Sequence, residues 1–301
     1  MTPARVSIGL SCFNAKKWLG LAIRSVFAQS CTDWELIIID DGSTDGSLEM
    51  FASITDPRVR VVADGTNRGL ACRLNEIADH ARSDLLFRFD ADDAMHPERL
   101  SRQLEFLDRH EEVEVVGSGA YVIDAHDRVY GTQSLEPLST GPQNFLRNGF
   151  FLHPTVAGRT EWFRANPYDT MLSRSQDKEL WLRTHSTTNF AKILEPLLFY
   201  REAGTFDGRK YATQKRLDRQ ILKRYGPSLV GARRTARALA TVTAKMAIYR
   251  TLDSIGAADA LARRRSSEIS DLERDSAQSI LDRIICTPVP GLDEVCQEGA
   301  T

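Results

Sequence analysis

The chain has 301 residues, with 39 Lys+Arg against 41 Asp+Glu and 42% hydrophobic residues. That is ample for a sizeable core. The 27% charged and 8% aromatic residues, with no Gly/Pro excess, exclude a fibrous or disordered chain. The formal net charge of −2 hides a split: residues 1–200 carry 21 Lys+Arg against 28 Asp+Glu, residues 201–265 carry 16 against 5, and residues 266–301 carry 2 against 8. Near-neutrality is therefore a cancellation between an acidic body, a basic segment and an acidic tail.

Cys12, Cys31, Cys72, Cys286 and Cys296 are scattered and form no CxxC pair, so neither a zinc site nor a disulfide framework is indicated. Reduced thiols, no signal-peptide core after Met1 and no long apolar run together predict a cytoplasmic protein.

Apolar strands and amphipathic helices alternate over the first 125 residues. Val6–Phe13 reads as a buried strand, and 16–29 as a helix with Trp18, Leu21, Ala22, Ser25 and Val26 at helical spacing. Trp34–Asp40 is a second strand, and Ser43-Thr44-Asp45 is placed to cap a helix running to Ile54. A strand over 59–63, a helix over 69–81 and a strand over 85–89 follow. Pro97 suits the first turn of a helix ending near Arg109, and 113–116 is a fifth strand. This alternation predicts an α/β fold, its largely parallel sheet covered on both faces. Ligands of such sheets bind beyond the carboxyl ends of the strands. Here those ends carry Phe13-Asn14, Asp40-Asp41-Gly42 and Asp90-Ala91-Asp92-Asp93.

From about 120 to 205 the pattern is irregular, with a hairpin near Ala125-His126-Asp127, a helix over 176–184 and a last strand over 197–201. Beyond it the chain turns basic and helical. One stripe comprises Leu217, Ile221, Leu222 and Tyr225, and a second Ala236, Leu239, Ala240, Thr243, Met246 and Ala247. The residues from Thr287 onward are Pro/Gly-rich and acidic, and predict a loose tail.

Clustered carboxylates at the mouth of an apolar sheet repel one another unless a cation offsets them. Asp90 and Asp92 offer hard oxygen ligands suited to Mg²⁺ or Mn²⁺, ions that often bridge a carboxylate to substrate phosphates. There is no Walker A loop and no GxGxxG, so a metal is the natural means of holding a diphosphate beside this acidic rim. A bare DxD can also be a helix cap, and Asp-Gly-Ser-Thr-Asp a simple turn. A phospho-accepting receiver domain would also place an acidic pair after a strand. It requires a Lys after the fifth strand, where this chain has Gly117-Ser118-Gly119.

Phe13-Asn14, IIIDDGSTDGS (37–47), NRGLACRLN (67–75), FDADDAMHPERL (89–100), QDKELWLR (176–183) and LLFYR (197–201) occur in that order. The ordered set, covering roughly residues 5–205, resembles an inverting family 2 glycosyltransferase of the GT-A fold, of the bacterial surface-polysaccharide type. The resemblance implies a metal-dependent enzyme, with Mn²⁺ or Mg²⁺, that moves a sugar from a nucleotide-diphospho-sugar, UDP-linked first of all, to an acceptor hydroxyl. GDP- and dTDP-sugars are the rival donors, and a catalytically silent nucleotide-sugar or glycan binder is the rival class. The resemblance assigns Asp41, beside Phe13 and Asn14, to the nucleobase. Arg68 falls to the loop flanking the nucleotide, Asp90 to the ribose, Asp92 to the metal and Asp177 to the catalytic base. The family often has Glu-Asp where this chain has Gln176-Asp177, and the acting carboxylate is retained. Arg201 reads either as a diphosphate contact or as a plain surface residue. His153 and Trp181 are candidates for the acceptor pocket, with a structural histidine and a core tryptophan as the alternatives.

The implied organisation is a catalytic domain over 1–205 and a basic helical region with an acidic tail over 206–301. The catalytic domain divides into a nucleotide-sugar-binding half over 1–120 and an acceptor-binding half over 121–205. A solvated helical face is the default reading of the basic run. Peripheral attachment of residues 206–265 to an anionic membrane, at the inner face of the plasma membrane where lipid-linked saccharides are delivered, is the sharper one. Sparse aromatics there and the acidic body argue against nucleic acid.

Overall fold

The computed structural model describes residues 4–138, 150–202, 207–254 and 266–292. Strands β1 (Val6–Cys12), β2 (Trp34–Asp40) and β4 (Leu85–Asp90) are almost wholly buried, as unbroken apolar runs require, and pair in parallel. Strand β3 (Val59–Ala63) completes the parallel side. Helices α1 (Lys16–Phe27), α2 (Ser47–Ala52), α3 (Leu70–His80) and α4 (Arg99–Arg109) lie between or after these strands.

The other side of the sheet is mixed. It contains β5 (Ala94–Met95), β6 (Val115–Ile123), β7 (Val129–Gln133), β8 (Ala157–Arg159) and β9 (Phe190–Arg201). The order is β3-β2-β1-β4-β8-β6-β9-β5, with β7 also paired to β6. Strand β8 is antiparallel to both β4 and β6, whereas β6 and β9 run parallel. Gly158 is what lets β8 fit between its neighbours: a Cβ there would lie 2.3 Å from the Glu114 carbonyl oxygen. Helices α5 (Thr160–Ala165) and α6 (Gln176–Thr184) fall between β8 and β9. Helices α7 (Gly208–Val230), α8 (Ala232–Ser254) and α9 (Asp271–Ile285) follow β9.

Two apolar clusters cover the sheet, and the pleat of β2 divides them. Leu36 and Ile38 join Leu19, Ile23, Phe87 and Leu104 on one side. Ile37 and Ile39 join Leu74, Ile77, Trp162 and Trp181 on the other. Each such side chain contributes about 1.5–3 kcal/mol on burial, so the two clusters carry most of the fold's favourable energy.

Several expectations need correction. The strand expected over 113–116 is β6, more than twice the expected length, and the three-residue β8 separates it from β4. Strand β9 starts at Phe190 rather than 197. Helix α2 begins only at Ser47: the Asp45 carboxylate accepts from the Ser47 N–H (3.0 Å) and the Lys16 N–H (2.9 Å), tying two loops together before the helix starts.

The first segment of the tail is not loose. Val289 and Leu292 belong to the first cluster, and the Thr55 N–H donates to the Pro290 carbonyl at 3.1 Å. Ala277, Leu281 and Ile284 of α9 pack against Ala94, Ile123 and Phe199, behind the acidic loop. The stripe on α7 is as expected, with Ile221 and Leu222 buried in the second cluster. On α8 the side packed against the second cluster is instead Ala238, Leu239 and Val242. A boundary at 205 falls outside the described residues. Among the described residues no helix is long and apolar enough to cross a membrane.

Candidate active site

The parallel register aligns the strand ends: Cys12 lies opposite Asp40, and Ser11 opposite Asp90. The residues just beyond form one crevice edge. Asn14 adopts a positive φ of 51°. Its Oδ1 accepts from the Thr44 N–H at 2.8 Å, and its own N–H donates to Ser43 Oγ at 3.0 Å. Phe13 is left 51% exposed, an aromatic ring on the rim with no core to join. Gly42, at φ +76°, lets the 40–45 turn pass close to the loop below. A Cβ there would come within 3.0 Å of the Asn67 backbone nitrogen.

Asp41 is 4% exposed, and both its oxygens are engaged. Oδ1 accepts from the Arg68 N–H (2.7 Å) and Arg73 Nε (2.8 Å), and Oδ2 from the Gly69 N–H (3.0 Å). Arg73, 1% exposed, also binds Asp64 (2.7 Å) and Glu76 (2.7 Å). Its charge is reinforced first by Asp64, and Asp64 in turn is held down to about 2. Asp41 thus shapes the 66–69 loop from beneath. The Arg68 side chain, half-exposed above it, pairs with Glu76.

Asp90, Asp92 and Asp93 converge, with ligand oxygens all within 4.8 Å of one another. Asp90 is paired with Arg88 at 2.6 Å. Asp92 reaches solvent, yet protein crowds its carboxyl enough to push it up to about 6, with the Asp90 charge adding to the shift. Asp93 is fully buried and its carboxyl is raised well above the usual range, by burial first and then by its two neighbours. Its Oδ1 accepts from the Arg201 N–H (2.8 Å), while Oδ2 has no hydrogen-bond partner. Three crowded hard-oxygen donors, one with an orphaned buried oxygen, fit Mg²⁺ or Mn²⁺.

Arg201 sits beneath this loop and not in the crevice. Its side chain is 1% exposed. Nε donates to the Asp92 carbonyl (2.7 Å) and Nη1 to the Asp124 carbonyl (2.8 Å), and the guanidinium covers the Trp18 ring at 4.1 Å. This geometry ties the acidic loop to the β6–β7 hairpin, and so the diphosphate contact anticipated from sequence does not match it. Trp181 is likewise core, 1% exposed among Phe151, Trp162 and Phe190. His153 Nε2 meets the Tyr168 hydroxyl at 2.9 Å, and burial holds the ring neutral, well below the usual range.

Asp177 lies in the first turn of α6, half-buried. Burial raises its carboxyl above the usual range, while the charge of Arg88 opposes the rise. Arg88 is felt on both sides, by the acidic cluster and by Asp177, and its Nε and Nη1 are buried without hydrogen-bond partners. One buried cation therefore lies within electrostatic reach of both the acidic cluster and the raised carboxyl of Asp177.

A family model described as Glycosyl transferase family 2 matches residues 7–171, more than half of the chain. The chain belongs to this family. The Bacillus subtilis protein EpsE, named as a glycosyltransferase, is 34% identical over 187 residues. That match covers 60% of this chain and 66% of EpsE, just under two thirds of the relative's length. The structure of S. aureus TarS 1-349 in complex with UDP-GlcNAc superposes with a TM-score of 0.58 at 16% identity, covering 79% of this chain and 71% of that one. The Pyrobaculum calidifontis mannosyltransferase PcManGT, in complex with GDP-Man and Mn²⁺, gives 0.56 at 17% identity, over 94% and 86%. These likenesses extend the GT-A-type fold beyond the family match.

Three residues of this site were given no role in the sequence reading. Arg88 had a signal: it is a charge inside an apolar strand, two positions before Asp90 and hence on the same face. Asp93 directly follows the DxD. Arg73 stands four residues into a helix whose periodicity marks it as inward, and only the fold shows that it meets Asp41.

Proposed function

We propose that this family 2 glycosyltransferase is a metal-dependent, inverting enzyme that transfers a sugar from a UDP-linked donor to an acceptor hydroxyl during assembly of a surface polysaccharide or lipid-linked oligosaccharide. The observation that carries this reading is the convergence of Asp90, Asp92 and Asp93 beside Arg88, whose charge also reaches the raised carboxyl of Asp177. Asp92, with Asp90 and Asp93, would hold Mn²⁺ or Mg²⁺, which would neutralise charge on the departing diphosphate. Phe13 offers an exposed ring to the base, and Asn14 and Asp41 with the Arg68 loop shape its pocket.

Asp177 accepts the acceptor hydroxyl proton as that oxygen attacks the anomeric carbon. The bond to the diphosphate oxygen breaks on the opposite face, and the configuration inverts. A raised carboxyl is the better base near neutrality, and the Lys178 backbone N–H and the charge of Arg88 oppose the rise that burial causes. His153 and Tyr168 close the acceptor side.

A donor panel tests this. With Mn²⁺ present, a UDP-sugar should raise the melting temperature and release UDP, both effects lost in EDTA. A response confined to GDP- or dTDP-sugars would replace the donor, and binding without release would favour the silent binder. The basic face of α7 and α8 presents Arg216, Lys223, Arg224, Arg233, Arg234 and Arg237 to solvent. We assign it to an anionic lipid surface, at about 1 kcal/mol per basic residue. Vesicles containing phosphatidylglycerol should sediment the protein at low salt, and equal sedimentation with neutral vesicles would refute the assignment.

A further inference from the structure

The C-terminal helices do more than cover the sheet. Ser175, immediately before α6, holds φ 59° and ψ 21°, a left-handed conformation uncommon for a residue other than glycine. It fixes the direction in which the first turn of α6 leaves the preceding loop, and Asp177 is two residues on. Its hydroxyl donates to Asp218 Oδ1 of α7 at 2.9 Å. Asp218 is 4% exposed. Its Oδ2 accepts from Lys215 Nζ at 2.7 Å, and Lys178, the residue after Asp177, brings its Nζ to 3.7 Å from Oδ1. One buried carboxylate therefore grips the residues on both sides of the base turn, Ser175 and Lys178.

Docking of α7 needs none of this. Ile221 and Leu222 already anchor it in the second cluster, and Tyr225 donates to Glu179 further along α6. A buried ion pair is weak as a stabiliser compared with a packed apolar residue, so its value here is geometric.

We propose that Asp218 is a positioning residue that holds Asp177 in its working orientation through Ser175 and Lys178, so that the C-terminal helices complete the catalytic site. The proposal rests on the reading of Asp177 as the base. The family match ends at residue 171, ahead of both aspartates. Asp177 is faced by Arg88 from β4, by Asp218 from α7, by Lys178 on its own helix and by Tyr168 from the loop before α6, while Lys215 of α7 acts on Lys178 and Asp218. Asp218 is the one of these whose negative charge opposes loss of the Asp177 proton.

The test uses the full chain as Asp218→Asn, Ser175→Ala, Asp177→Asn and, as a packing control, Leu222→Ala. Hydrogen–deuterium exchange over 172–182 is read beside the melting temperature. Nucleotide release from UDP-N-acetylglucosamine and from GDP-mannose, each with Mn²⁺, is read against pH. Asp218→Asn should speed exchange in that segment about tenfold and lower kcat about 100-fold, with the donor KM within twofold. The acid limb of kcat should move to lower pH, because a charge that favoured protonated Asp177 is gone. Leu222→Ala, at an equal or lower melting temperature, should keep its kcat within about fivefold. Wild-type kcat in Asp218→Asn, a loss that Leu222→Ala matches, or unchanged exchange overturns the proposal. Exchange needs no donor and decides alone if neither sugar nucleotide is turned over. Turnover retained by Asp177→Asn would instead overturn the base reading itself.

Discussion

Asp177→Asn is expected to lower transfer about 10²- to 10⁴-fold, equivalent to about 3–5.5 kcal/mol of transition-state stabilisation, while leaving donor affinity within a few-fold. The amide matches the carboxylate in shape but cannot accept the acceptor proton. The loss should therefore fall on kcat rather than KM. Wild-type activity should fade on acidification at a pH above the ordinary carboxylate range, because burial raises the Asp177 carboxyl and a protonated base is inactive. Steady-state kinetics of both proteins between pH 5 and 8 checks this. An acid limb that survives in Asp177→Asn would assign the titration to another group, and retained turnover would remove Asp177 from the mechanism.

The second large effect belongs to the acidic cluster. Asp92→Ala should abolish the Mn²⁺-induced rise in melting temperature and lower transfer about 10²- to 10³-fold, the range for removing one electrostatic stabiliser. The pH dependence has a definite sign. Asp92 is raised to about 6 from its usual 3.8, so between those values the folded protein holds a proton that the unfolded chain has lost. That contribution to the stability of metal-free protein is complete below 3.8 and lost as the pH rises through 6. Mn²⁺ competes with protons on Asp92 and on the raised Asp93, so its stabilising increment should grow as the pH rises through about 6. Thermal melts in EDTA and in Mn²⁺ across this window measure both slopes, and Asp92→Ala should make them shallower, with Asp93 left to titrate. An Mn²⁺ increment independent of pH in the wild type, or intact in Asp92→Ala, would place the ion elsewhere.

The two halves of the crevice differ in how legible they were. Unbroken apolar runs can only be interior strands, and Asp41, Asp90 and Asp92 stand at their carboxyl ends. The parallel sheet and its acidic edge therefore follow from local pattern alone. Asp177 could be singled out only through the ordered motifs of the family it resembles, since nothing in its local periodicity marks it. The readings of Arg201 and of the tail's described part, up to Leu292, failed for a shared reason. Arg201 looks like any exposed strand-end arginine until β6, β7 and the acidic loop close around it. Val289 and Leu292 look like isolated apolar residues in a polar tail until they reach the first cluster. Burial at a chain's margins depends on partners distant in sequence, and periodicity carries no information about them.

The charge split has the same lesson. The sequence by itself determined that the acidic body and the basic C-terminal segment are distinct, because composition is a local property. Only the tertiary structure decided that they meet. Lys178 of the body, the residue after Asp177, closes on Asp218 of the basic segment. A buried carboxylate persists as an ion only where cations are brought to it. That pairing, between residues about forty positions apart, exists only once α7 has docked on α6.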